Sequence, residues 1–404
     1  MLIQSEIPCN GQLISPNPIS NGYILMLFLF IRHGARSPSY DCTKKEYTSE
    51  WNCGNVFNTG FWRTPVVNGE KTTIYKNDRN IYKSESDTSS KKWTTFFTNN
   101  DKITINFPPS CPSGNLIDSG VEHLISLGKL YRHYLIDEIH LLPRKYDPKN
   151  VFVRSSFVHR CVESSVAFMN GMYPPENDSE ELHITTGHSK VEPLCPYSES
   201  TEKFDELSKE FVKTDEFKKR KEFFQNLNAI QKDLDYKVEN EMDNLIIGDF
   251  LNCYRCSGNE LPLSSFNETE NDNKSEVTKN TEIFDKLMSN MAFWETGFLE
   301  FTGNLSYMPI FEMMVNYIDH LFAMDEKAHK FYLFSAHDVT ISAVLVALGY
   351  LDYDSPPPFG AHLAAELWQL DKPYLRFVYN GKVVPFRGKE LMIPLDEFKS
   401  AFSL

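Results

Sequence analysis

The chain has 404 residues, 41% of them apolar and 13% aromatic. That is enough to bury a sizeable core, either as two domains or as one α/β core with a large insertion. A formal net charge of −14 excludes a general nucleic-acid or polyanion binder, so any cationic site must be a local feature. Residues 1–22, rich in Pro, Asn and Gly, predict an extended arm. The unbroken apolar run Tyr23–Ile31 predicts a strand buried on both faces, as at the centre of a parallel sheet, and is too short to span a bilayer. It delivers Arg32-His33-Gly34-Ala35-Arg36-Ser37-Pro38. Residues 40–106 are polar, with aromatics at no clear period, and read as an excursion near the site. From Val121 to Leu135 one face is apolar (Val121, Leu124, Ile125, Leu127, Leu130, Tyr131, Tyr134, Leu135), a helix that Asp118 or Ser119 can cap. Val151-Phe152-Val153 reads as a short strand ending in Arg154.

Residues 197–260 are charged and helical in period, and Lys218-Lys219-Arg220-Lys221 reads as a solvated helix face. Asn267–Asn280 reads as a loop. Phe331–Phe334 is a further strand, ending in Ser335-Ala336-His337-Asp338. Beyond it Ile341, Val344, Leu345 and Leu348 line one helical face that stops at Gly349. No internal repeat is present. The expected architecture is α/β: a mostly parallel sheet flanked by helices, with an inserted, mainly helical cap. The core would take residues 23–194 and 316–404, the cap 195–315, and the arm 1–22.

In open α/β sheets, ligands sit just beyond the carboxyl ends of the strands. Three strands distant in sequence would bring Arg32, His33, Arg36, Arg154, His337 and Asp338 to one edge, a cationic pocket holding one carboxylate. Guanidinium forks match the oxygens of a phosphate, and a neutral imidazole among them can attack phosphorus. A metal bound by His33 and His337 would be repelled by those arginines, so neither metal nor cofactor is expected. His123, His133, His140, His159, His183, His188 and His362 share no ligand spacing and read as packing or surface residues, His123 being best placed behind the site.

Arg-His-Gly-x-Arg-x-Pro near the start, with His-Asp near the end, resembles the histidine acid phosphatases, the second branch of the histidine phosphatase superfamily. Val153-Arg154-Ser155 leading a helix to Gly171-Met172-Tyr173-Pro174-Pro175, the stretch Gly120–Arg132, Phe359–Gln369 and Tyr379-Asn380-Gly381 extend the likeness over about residues 24 to 390. Ser335–Thr340 and Glu366-Leu367-Trp368-Gln369 look nearest to the 2-phosphoxylose phosphatase-like and acid phosphatase-like members. The resemblance implies a phosphoglycerate mutase-like core and a metal-independent acid phosphatase. His33 would attack phosphorus to form a phosphohistidine. Arg32, Arg36 and Arg154 would hold the phosphate oxygens, a protonated His337 would add a donor, and Asp338 would protonate the leaving group. The working range would be acidic, between roughly pH 4 and 6. The partner would be a small phosphate monoester or phosphorylated sugar, with a homodimer allowed and no nucleic acid or transmembrane segment. Two alternatives stand beside this. One is an inositol-polyphosphate phosphatase, a branch that typically carries His-Ala-Glu where this chain has His337-Asp338. The other is a catalytically silent phosphate-binding module.

Eight cysteines (Cys9, Cys42, Cys53, Cys111, Cys161, Cys195, Cys253 and Cys256) fit up to four disulfides. The lone Cys253-Tyr254-Arg255-Cys256 favours a local bridge over a zinc or redox site. Sequons at Asn177, Asn267, Asn273 and Asn304 point the same way, to a glycoprotein of the secretory pathway, secreted or lysosomal. Met1–Pro8 has no signal-peptide pattern. The expectation is a leader missing from this sequence, with a cytoplasmic protein as the alternative.

Overall fold

In a computed structural model of the chain, the apolar run becomes β1 (Tyr23–Arg32), and its pleat divides its side chains between two layers. Met26, Phe28 and Phe30 face one cluster, while Leu27, Leu29 and Ile31 face the other. The structure describes residues 5–40, 42, 51, 53, 73–77, 94–99, 113–174, 181–187, 192–196, 201–224, 234, 236, 241–259, 276–326 and 328–404. The further strands are β2 (Thr73–Asn77), β3 (Thr94–Asn99), β4 (Val151–Ser155), β5 (Glu181–Thr186), β6 (Phe331–Ala336), β7 (His362–Gln369), β8 (Pro373–Tyr379), β9 (Lys382–Val384) and β10 (Ile393–Pro394). They form one sheet in the order β10-β8-β7-β1-β6-β4-β5-β3-β2, with β9 on β8. Strands β1, β6, β4, β5 and β3 run parallel to their neighbours in that series. The sheet is therefore mixed. β1 is parallel to β6 but antiparallel to β7, so its burial comes from helices on both faces and not from a parallel partner on each side.

One face is covered by α1 (Asp118–Arg132), which runs on as a π-helical turn over His133–Glu138, and by α2 (His159–Met172). Of the expected apolar face, Val121, Leu124, Leu127, Tyr131, Tyr134 and Leu135 lie within the core, while Ile125 and Leu130 are partly buried against it. The cap differs from expectation. Ile117 occupies it without a side-chain hydrogen bond, and Asp118 lies inside the first turn. α1 and α2 cross closely because each brings a glycine to the contact. A Cβ on Gly128 would lie 2.0 Å from the Phe168 carbonyl oxygen, and one on Gly171 2.0 Å from that of Ile125.

The opposite face is covered by α7 (Asn304–Phe322) and α8 (Asp338–Ala347), with Ile310, Phe311, Met314, Ile341 and Val344 packed on Phe28 and Phe30. The chain closes with α9 (Leu395–Phe402). Between β5 and β6 lie α3 (Thr201–Phe211), α4 (Asp215–Phe224), α5 (Glu241–Ser257) and α6 (Glu276–Thr302). These have apolar clusters of their own. Phe250 and Tyr254 of α5 meet Phe284 and Met288 of α6, while Phe211 and Phe217 meet Phe293 and Trp294. α7 runs unbroken through position 315 and packs on the sheet, so a boundary at 315/316 falls inside a core helix. Lys218 and Lys219 are exposed on α4, and α6 already covers residues 276–280 of the segment expected as loop. The rest of that segment, and most of 40–106, lies outside the described residues. Within 40–106 the described β2 and β3 add two strands to the sheet edge.

The arm pairs with the segment before β7. Gly11 N–H donates to the Phe359 carbonyl at 2.8 Å, and Phe359 N–H donates to that of Cys9 at 3.0 Å. A disulfide joins Cys9 to Cys256 across 247 residues, tying the arm to the end of α5. The expected local Cys253–Cys256 bridge is not formed. The two cysteines are three apart on a helix, and Cys256 is taken by the arm. Cys53 is also disulfide-bonded. Among the described residues no helix is long and apolar enough to cross a membrane.

Candidate active site

Adjacent parallel strands β1, β6 and β4 end at the same edge, and their carboxyl ends carry the site. β1 ends in Arg32, followed by His33 and Arg36. β6 ends at Ala336, followed by His337 and by Asp338 at the start of α8. His33 is 1% exposed, and its backbone N–H donates to the Ala336 carbonyl at 3.0 Å. Its Nδ1 lies 3.0 Å from the Gly34 carbonyl oxygen. Only a protonated Nδ1 can make that bond, so the neutral ring leaves its lone pair on Nε2. Gly34 is required here, because a Cβ would lie 2.6 Å from the Gly120 carbonyl oxygen. Burial, then Arg160, Arg36, Arg32 and His337, hold the His33 imidazole well below its ordinary pKa. The histidine is thus neutral, which a nucleophile must be.

The cations around it are fixed from the far side. Arg32 donates through one terminal nitrogen to the Pro357 carbonyl and pairs through the other with Asp338 at 2.6 Å. Its guanidinium lies 4.4 Å from the centre of the Phe359 ring. Arg36 is held by Asp249 of α5 in a two-point pair at 2.7 and 3.1 Å. In each of Arg32, Arg36 and Arg160 the Nε–H is buried with no hydrogen-bond partner among the described residues. An orphaned buried donor costs about 1–3 kcal/mol, and three arginines bearing one beside a single histidine suit an anion. The N-terminus of α2, which carries Arg160, and that of α8, capped by His337, add partial positive charge.

Arg154 is placed elsewhere. β4 continues to Ser155, so Arg154 lies within the strand, on the same side of the pleat as Phe152. There it forms a two-point pair with the fully buried Glu192 at 2.9 and 3.0 Å, and Glu192 also accepts from the backbone N–H of Gly187 and Leu194. The arginine that acts on the site histidines is Arg160, in the first turn of α2, the largest charge effect on both His33 and His337. Sequence reasoning missed it. Extending the strand by two residues would have turned Arg154 away from the ligand edge and directed attention to the next arginine.

His337 lies edge-on to His33, ring centres 5.8 Å apart, and its Nε2 shares a 2.9 Å hydrogen bond with Ser156 Oγ. Burial and Arg160 push it below its ordinary range, so the free site holds it neutral. The protonated form expected from sequence requires an anion beside it. Asp338 Oδ1 accepts from Val339 N–H at 3.0 Å. Although burial opposes it, the Arg32 guanidinium and the Val339 N–H keep this carboxyl ionised in the free site.

Against known families, residues 24–380 match the model of the histidine phosphatase superfamily, branch 2. A probable acid phosphatase of Dictyostelium discoideum is 25% identical over 329 residues, 72% of this chain and 67% of that protein. Lysophosphatidic acid phosphatase type 6 of Mus musculus is 26% identical over 310 residues, 72% of this chain and 68% of that protein. 2-Phosphoxylose phosphatase 1 of Mus musculus is 27% identical over 291 residues, 69% of this chain but only 57% of that protein. Among solved structures, the phytase of Citrobacter braakii superposes with a TM-score of 0.55 at 13% identity, covering 94% of this chain and 97% of that one. That likeness concerns the fold alone. The chain belongs to branch 2 of the histidine phosphatase superfamily, a family of hydrolytic phosphatases.

Proposed function

We propose that the protein is a metal-independent phosphomonoesterase of the acid phosphatase type, working through a phosphohistidine at His33. The observation that carries the reading is the set of three buried Nε–H groups, unpaired among the described residues, on arginines beside a neutral histidine whose lone pair is on Nε2. A tetrahedral dianion supplies the missing acceptors. Arg32, Arg36 and Arg160 hold its non-bridging oxygens, and His337 becomes a donor once the dianion raises its proton affinity. Arg154 fixes the 192–194 segment instead, since Leu194 accepts from Thr340 on α8. His33 Nε2 attacks phosphorus as Asp338 protonates the leaving oxygen. Asp338 then takes a proton from the water that hydrolyses the phosphohistidine.

A small monoester or phosphorylated sugar suits a single cationic pocket in an acidic chain. His337-Asp338, in place of the His-Ala-Glu typical of inositol-polyphosphate phosphatases, disfavours that branch. The Cys9–Cys256 disulfide and bridged Cys53 support an oxidising, secretory compartment.

The test is leaving-group dependence. Nitrophenolate departs nearly unaided, whereas a sugar alkoxide needs a proton. Asp338→Asn is expected to lose roughly 10²–10⁴-fold on sugar phosphates and clearly less on nitrophenyl phosphate. Equal losses would mean that Asp338 positions phosphate or water, and that the acid lies elsewhere.

A further inference from the structure

A second carboxyl stands behind Asp338. Glu295 of α6 is 9% exposed, and its Oε1 accepts a hydrogen bond from Ser342 Oγ. Ser342 lies four residues after Asp338 on α8, one turn along the same helix face. Behind Ser342 is a void of about 10 Å³, lined among others by Thr296, Tyr350, Asp352 and Tyr379. That is room for about one water. Asp352 is half-buried, so the void leads toward solvent. The groups facing Glu295 are Asp338 and Ser342 from α8 and Arg32 from β1, with Tyr350, Asp352 and Tyr379 beyond the void.

We propose that Glu295 stores the proton for Asp338, the two buried carboxyls holding one proton between them that moves to Asp338 when the phosphate dianion arrives. The proposal rests on the reading of Asp338 as general acid. In the free site the ion pair with Arg32 keeps Asp338 ionised. Burial and the charge on Asp338 push Glu295 up to about 8, so the proton waits there. An incoming phosphate draws on Arg32 and sets negative charge beside Asp338, which reverses the order of the pair. Glu295 gives its proton to the Ser342 hydroxyl, which turns from donor to acceptor and passes its own proton to Asp338 one helical turn away. Asp338 passes it to the departing oxygen as the P–O bond breaks and the P–N bond to His33 forms. Water then attacks phosphorus, the P–N bond breaks, and the water's proton returns through Asp338 to Glu295. One water is consumed, alcohol and phosphate leave, and the enzyme gains no net proton.

Storage should extend activity on poor leaving groups toward neutral pH. Glu295→Gln keeps the volume and the acceptor for Ser342 but carries no proton. On glycerol 2-phosphate the alkaline limb of its kcat/KM profile is expected to move about one pH unit or more downward, with roughly tenfold loss near pH 7. Its profile on nitrophenyl phosphate should move clearly less, as for Asp338→Asn, and Glu295→Asp should recover part of the lost range. Superimposable wild-type and Glu295→Gln profiles on glycerol 2-phosphate would overturn the storage role. If Asp338→Asn nevertheless shows its leaving-group dependence, only this proposal falls. If that dependence is missing, the general-acid reading itself fails. Should Glu295→Gln not fold, the infrared spectrum of the wild-type enzyme decides. A protonated-carboxyl band that changes on adding inorganic phosphate at neutral pH supports storage, and a phosphate-insensitive band contradicts it.

Discussion

Arg154 and Arg160 stand six residues apart and are suited to different work, which separates binding from scaffolding at the level of single side chains. Arg160→Ala should lower kcat/KM by about 10²-fold or more, because it removes a preorganised donor to the transferred phosphoryl group. Its melting temperature should stay near wild type. Arg154→Ala instead strips a two-point ionic partner from the buried Glu192 carboxylate. A stability loss of about 3–5 kcal/mol in denaturant titration is expected. The reverse pattern would return Arg154 to the phosphate. Arg32, His33, Arg36, His337 and Asp338 were legible because each directly follows, or nearly follows, an apolar run. Arg160 was not, since it depends on where β4 ends and whether the alternation of side chains carries Arg154 away from the pocket. Glu295 was equally hidden, because an acid in a helical stretch carries no sign of what its helix packs against.

At the level of elements, the periodic segments were readable and their junctions were not. β1, β4, β6 and α1 follow from apolar pattern alone, whereas the antiparallel β7 beside β1 and the passage of α7 across residue 315 are set by packing on the sheet. Two element contacts make predictions. Gly128→Ala would drive a Cβ into the Phe168 carbonyl at the α1–α2 crossing, costing about 1–3 kcal/mol or more in unfolding free energy. A neutral result would mean that the helices can part without loss. Cys256→Ser removes the covalent tie between the arm and α5 and should cost roughly 2–4 kcal/mol, measured by thermal unfolding without reductant. An unchanged melting temperature would indicate that the arm's other ties, its backbone pairing with Phe359 and the Arg255 side chain on the Ser5 and Ile7 carbonyls, suffice to hold it.

For the whole molecule, two groups of buried residues act in opposite directions on the pH dependence of stability. His159 and His362 are pushed down to about 4 by burial, and His33 and His337 are also lowered. Their contribution is present above the unfolded value of 6.5 and is lost as pH falls toward 4. Glu295, raised to about 8, and Glu163 and Glu366, also raised, contribute stability below the unfolded value of 4.5 that is lost as pH rises. The two slopes oppose each other between 4.5 and 6.5, and outside that window only one acts. The melting temperature of the ligand-free protein should therefore peak in mildly acidic solution, a place consistent with an acidic working range. A maximum above pH 8 would contradict the burial of these carboxyls. Composition alone could not have indicated this, because His159, Glu163 and Glu295 become informative only once their surroundings are known.

His33 is expected to carry the phosphoryl group during turnover. Brief reaction of the wild-type enzyme with ³²P-labelled monoester, quenched and mapped by peptide sequencing, tests it most directly. The account predicts acid-labile, base-stable label on the peptide containing His33, absent from His33→Ala and undiminished by a chelator. Label on a serine or an aspartate, or turnover surviving in His33→Ala, would contradict it.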